Sequence, residues 1–174
     1  MFYVCPVKLS EAKEKFIRAW GKLGSSWGIN RTMAQVHALL LISPEPLSAE
    51  EIMKELKISR GNANMNLREL INWGLVEKDH VRGERREYFT AEKDIWKVAM
   101  QIAKERKKRE LEPVKKLLND LLKVEGDKKD KNIKTFTAVM ADIQDLVDKT
   151  DQTLDTLIRA DESWFVSTFI KLMK

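Results

Sequence analysis

Arg60, Asn62, Asn64, Met65 and Arg68 fall within nine residues of one another. The arginines carry planar forks of N–H donors, and each asparagine amide sets a donor beside an acceptor. Such groups suit reading a fixed hydrogen-bonding edge rather than breaking bonds. An Asn amide matches the N6/N7 edge of adenine, and an Arg fork matches the O6/N7 edge of guanine. Further along, Arg82, Arg85 and Arg86 crowd the polar turn Val81-Arg82-Gly83-Glu84. Cations on such a tip can meet phosphates or enter a narrow A·T-rich minor groove. Bond-breaking chemistry finds little to work with. The chain has one cysteine, Cys5, and two histidines, His37 and His80, on distant segments, so neither a metal site nor a disulfide framework is expected. There is no Gly-rich phosphate cradle and no Ser/His/Asp or Cys/His arrangement, so neither an enzyme nor a cofactor is expected.

The flanking residues say how the arginines and asparagines would be held. Ser48, followed three residues later by Glu51, spells a capping box, and Ile52, Met53 and Leu56 continue as a short amphipathic helix. After Leu56-Lys57-Ile58, Ser59 can cap a second helix that runs to Trp73, where Gly74 stops it. At about 100° per residue, Ala63, Leu67, Leu70 and Ile71 gather on one side. Gly61, Asn62, Met65, Arg68 and Glu69 gather opposite, flanked by Arg60 and Asn64. Asn and Gly are poor helix formers, so this outer face is chosen for something other than helix stability. Leu75–Lys78 and Arg86–Thr90 then read as two strands around the basic turn. Helix, tight turn, helix and basic hairpin together spell a winged helix-turn-helix. In it, helix 59–73 would enter the major groove, with Ser59 and the wing at 80–86 on the backbone or minor groove.

The remaining chain reads as helix. Leu9 to Ser26 is amphipathic, Asn30 or Thr32 opens a helix to Leu41, and Pro44 and Pro46 end it. A long helix starts near Ala91 and meets Pro113, which should kink it or begin a new first turn. After the polar turn 125–131, an apolar stripe runs from Ile133 to Ile158, and a last helix passes through Trp164 and Phe169. The expected architecture is mainly α: residues 1–90 form the N-terminal helices and winged helix-turn-helix, and residues 91–174 form long C-terminal dimerisation helices. Their apolar stripes exceed what a small winged domain can cover, and a second copy is the simplest cover, with a four-helix bundle within one chain as the alternative. A homodimer would also suit a palindromic operator in double-stranded DNA. Charge is segregated in the same sense. Eleven bases face six acids over residues 78–109, and seven acids face two bases over 142–162, within a net charge of +5. No stretch approaches the roughly 20 apolar residues of a membrane span, so no membrane partner is expected and the cytoplasm is the expected compartment.

Two stretches carry a family likeness. Trp27-Gly28-Ile29-Asn30-Arg31-Thr32-Met33-Ala34-Gln35-Val36-His37-Ala38-Leu39-Leu40 and Ile58-Ser59-Arg60-Gly61-Asn62-Ala63-Asn64-Met65-Asn66-Leu67-Arg68-Glu69-Leu70 resemble the GbsR branch of the MarR superfamily of winged-helix regulators. The resemblance covers about half the chain. It implies a dimeric transcriptional repressor, in a branch where some members control glycine-betaine synthesis or osmolyte uptake and respond to choline. Aromatic faces attract quaternary ammonium groups, so Trp20, Trp27 and Trp96, with Tyr88 or Tyr3, are candidate walls for such an effector. Two other readings stay open. The winged helix could serve as a protein–protein assembly module, or Cys5 could sense oxidants.

Overall fold

The computed structural model describes residues 7–79, 86–126 and 129–159. The chain divides between Val98 and Ala99 into two compact units. The first contains α1 (Leu9–Ser26), α2 (Arg31–Ile42), β1 (Leu47–Ser48), α3 (Ala49–Leu56), α4 (Arg60–Asn72), β2 (Val76–Asp79), β3 (Tyr88–Ala91) and the start of α5 (Ile95–Arg106). The second continues α5 through a π-helical turn, Lys107–Leu111, into α6 (Glu112–Leu121), followed by α7 (Lys131–Arg159).

Local chemistry sets the helix ends of the first unit. Asn30 caps α2, its side-chain oxygen accepting from Thr32 N at 2.8 Å and Met33 N at 3.2 Å. The capping box at α3 is reciprocal: Glu51 N donates to Ser48 Oγ at 3.3 Å, and Ser48 N donates to Glu51 Oε2 at 2.8 Å. Both the Ser48 hydroxyl and its backbone N–H favour the ionised acid, so the Glu51 carboxyl titrates below the ordinary range. Helices α1 and α2 approach so closely that a Cβ added to Gly24 would lie 2.6 Å from the Cβ of Ala34. Glycine is required there for space.

The core of this unit sits where α2, α3 and α4 meet the sheet. Val36, Leu40, Ile52, Leu67, Leu70 and Val76 are its largest fully buried side chains, each stabilising the fold by about 1.5–3 kcal/mol through removal from water. The sheet order is β1-β3-β2, antiparallel throughout, with Leu47 opposite Phe89 and Val76 opposite Ala91. The third strand, β1, is absent from the sequence-based expectation. It is only two residues long, and its partner lies some forty positions away, beyond the reach of any local pattern. The long helix also begins at Ile95 rather than near Ala91. Ala91 is the last residue of β3, and Asp94 supplies the cap by accepting from Trp96 N at 2.8 Å.

Pro113 does mark a new first turn, being at the start of α6. It has no N–H to offer the carbonyl four residues back, and its ring crowds that carbonyl. The chain accommodates this in the preceding turn, which widens to π geometry. Within the second unit, Lys107 pairs with Asp151 at 3.0 Å and with Asp155, while Lys115 pairs with Asp148 at 3.0 Å and Asp151 at 2.7 Å. Hydrogen bonds from these lysines hold Asp151 below the ordinary carboxylate range and raise both ammonium groups above theirs. The ladder fixes α7 against the π turn and α6. It leaves Phe136, Val139, Ile143 and Leu146 of α7 exposed, and no described residue of α7 is fully buried. The helix expected through Trp164 and Phe169 lies outside the described residues.

Candidate nucleic-acid interface

Helix α3 is capped by Lys57, whose left-handed backbone (φ 54°) turns the chain within three residues into α4. Ser59 caps α4 by accepting from Asn62 N at 3.3 Å. The inner face of α4 is Ala63, Asn66, Leu67 and Leu70, all buried, and this leaves a single outward ridge. Gly61, Asn64, Met65, Arg68 and Asn72 recur along that ridge at three- and four-residue steps, and all are exposed, Met65 by 58%. A helix displaying an amide, a thioether and a guanidinium in one row can contact the edges of successive base pairs.

Two asparagines behave differently from the rest. Asn66 is 2% exposed, and its Nδ2 donates to the backbone oxygen of Asn62 at 2.8 Å and to Asn62 Oδ1 at 2.6 Å. The Asn62 amide is therefore turned with its oxygen inward, at the half-buried rim of the ridge. Its NH2 is left to donate to a partner.

Arg60 and Arg86 flank the ridge from two different elements. Arg60 opens α4 and Arg86 leads into β3, and both pair with Glu50 of α3, at 3.2 and 3.3 Å. Around them Ser48, Asn64 and Phe89 line a groove of about 190 Å³. The hairpin is braced by Lys78, which donates to Glu87 at 2.7 Å. The Lys93 ammonium donates to the carbonyls of Leu40, Leu41 and Ser43 at 2.6, 3.1 and 2.7 Å, at the end of α2.

The structure thus brings Arg60, Asn64 and Arg86 to one groove, continues Asn64 with the exposed Met65 and Arg68 along α4, and leaves Ser59 as the helix cap and Asn62 half-buried. Arg82 and Arg85 lie outside the described residues, as do Tyr3 and Cys5. Asn72 escaped the sequence reading although it continues the spacing of Met65 and Arg68. Glu50 escaped it because an acid in a helix's first turn already has an ordinary explanation. The aromatic candidates for an effector are spread along the chain. Trp20 lies against Phe16 and the buried His37, with ring centroids 5.4 and 6.2 Å away. Trp27 closes α1 and is 49% exposed, Tyr88 opens β3, and Trp96 stands at the start of α5. Burial, with a lesser contribution from the charge of Lys93, lowers the His37 pKa to about 4, so this imidazole is neutral at physiological pH. Among the described residues no three His, Cys, Asp or Glu side chains gather as metal ligands, and no helix is long and apolar enough to cross a membrane.

Two helices joined by a tight turn, the second with an exposed polar ridge, and a three-stranded sheet bearing a hairpin define a winged helix-turn-helix. Residues 27–87, which span this module from α2 to the hairpin, match the MarR family. The chain is also similar to the HTH-type transcriptional regulator MmpR5 of Mycobacterium tuberculosis (strain ATCC 25618 / H37Rv), 34% identical over 76 residues. That match covers 43% of this chain and 46% of the relative, so the chain spans less than half the length of MmpR5. Over 84% of the chain, the fold is similar to a crystal structure of a transcriptional regulator, with a TM-score of 0.64, 22% sequence identity and 95% of that chain covered. At that identity the likeness speaks to the fold.

Proposed function

We propose that this protein is a sequence-specific DNA-binding transcriptional regulator, working as a cytoplasmic homodimeric repressor of the GbsR type. The observation that carries the reading is the ridge Gly61-Asn64-Met65-Arg68-Asn72 beside Arg60 and Arg86. Bases would be read from that ridge in the major groove, and phosphates held by Ser59, Arg60 and the wing arginines Arg82, Arg85 and Arg86. The MarR family match and the resemblance to MmpR5 support a DNA partner. The exposed apolar side chains of α7 support a second copy, whose two-fold axis would set the two α4 helices about 34 Å apart.

Selection of bound duplexes from a random pool at physiological salt tests this. The expected product is a palindrome with half-sites about one DNA turn apart. Absence of enrichment would refute DNA reading and favour a protein-contact module. The finer part of the reading is release by a quaternary ammonium compound at Trp20, Trp27, Trp96 and Tyr88, which rests on the family resemblance and on the exposed ring of Trp27. Repeating the binding with millimolar choline tests it, and unchanged affinity removes it.

A further inference from the structure

Glu50 holds two of the cations on which the interface depends. Its Oε1 accepts from Arg60 Nη2 at 3.2 Å, and its Oε2 lies 3.3 Å from Arg86 Nη1. One carboxylate therefore bridges the recognition helix and the approach to β3, at the groove lined by Ser48, Asn64 and Phe89. All three charged side chains are more than half exposed, so these pairs exchange readily for other partners. A guanidinium offers carboxylate and phosphate the same fork of donors. Glu50 is also not needed to finish its own helix, because Ser48 and Glu51 already form the capping box of α3.

We propose that Glu50 is an internal competitor of the nucleic-acid backbone: it occupies the seat between Arg60 and Arg86 and must leave before a phosphate can use both guanidinium groups. The inference rests on the DNA-reading role proposed above. Its consequence is a lower sequence-independent affinity. With Glu50 in place, the two arginines and the carboxylate present one net positive charge, and without it they present two. Each added cation that neutralises a phosphate steepens the dependence of log affinity on log salt by about 0.9. A protein so tempered spends less time on unrelated duplex and leaves the discrimination to the ridge of α4.

The test uses the full chain and a random-sequence duplex, titrated between about 50 and 200 mM salt, the range over which such contacts are most visible. Glu50→Gln is expected to bind about tenfold tighter at the middle of that range, with a slope steeper by about one. Adding Arg86→Gln should remove at least half of the gain. Glu55→Gln makes the same change of charge at the far end of α3 and should shift affinity less than about twofold. Equal or weaker binding by Glu50→Gln overturns the proposal, as does a gain that Glu55→Gln matches or that Arg86→Gln leaves intact. If wild type binds and Glu50→Gln gains nothing, this proposal alone falls. If neither protein binds duplex at the lowest salt, the DNA-reading role falls with it.

Discussion

Helices α4 and α7 are both amphipathic, and they meet opposite fates. In its 13 residues α4 buries Ala63, Asn66, Leu67 and Leu70 within its own unit. In its 29 residues α7 has no fully buried side chain, and Leu146 is 65% exposed. The α4 stripe meets α2, α3 and the sheet, so its apolar side is spent inside the chain. The α7 stripe is held to α6 and the π turn by a lysine–aspartate ladder, while Phe136, Val139, Ile143 and Leu146 remain outward. The contrast teaches that amphipathic periodicity reports an apolar face but not its partner. One face builds a core that fixes the outer ridge of α4 in place, and the other is available for a further surface.

The sharpest way to break this contrast is to make the same truncation in both units. Leu70→Ala removes a side chain with 1% exposure and is expected to cost about 4 kcal/mol in urea unfolding, as cavities in closed cores do. Leu117→Ala, at a position 56% exposed on α6, should cost under about 1 kcal/mol. Equal costs would show that the two units are packed alike.

A pH titration sharpens the claim that the first core is closed. Burial, aided by the charge of Lys93, keeps His37 of the folded protein from taking a proton until about pH 4, while the unfolded chain takes it near 6.5. The depressed folded value means that the stabilisation is complete above pH 6.5 and is lost as pH falls toward 4. The loss should approach about 3 kcal/mol. Stability of wild type and His37→Leu measured across this window isolates the contribution, because the carboxylates titrate in both. Parallel curves would contradict a sealed neutral imidazole.

The smallest expected effect concerns the open face. For the homodimer proposed above, placing Asp at both Ile143 and Leu146 should weaken self-association about a hundredfold, or about 2.7 kcal/mol, in sedimentation, with helix content retained. An unchanged association constant would move the joint between copies away from the α7 stripe.

What was legible in the sequence follows from the range of the forces involved. Caps are decided within three residues, so Ser48 with Glu51 and Ser59 could be read directly, and the winged helix-turn-helix followed from their order. The first strand could not be read, because Leu47 and Ser48 take strand geometry only by pairing with Phe89 and Tyr88. The outer face of α4 was half legible. The wheel separates Met65 and Arg68 from Leu67 and Leu70, but it cannot say that Asn66 turns inward and fixes the Asn62 amide. Nor can it say that Glu50, ten residues before Arg60, reaches across the turn to meet it. Those contacts need the relative placement of two helices, and sequence spacing within either one does not contain it.

Lys93 ties the β3–α5 connection to the end of α2. Only Glu92, Lys93 and Asp94 separate β3 from α5, and the middle one is clipped to three carbonyls at the end of α2. The exit of the hairpin strand and the end of α2 thus share one anchor, and a change at either is felt by the same ammonium group.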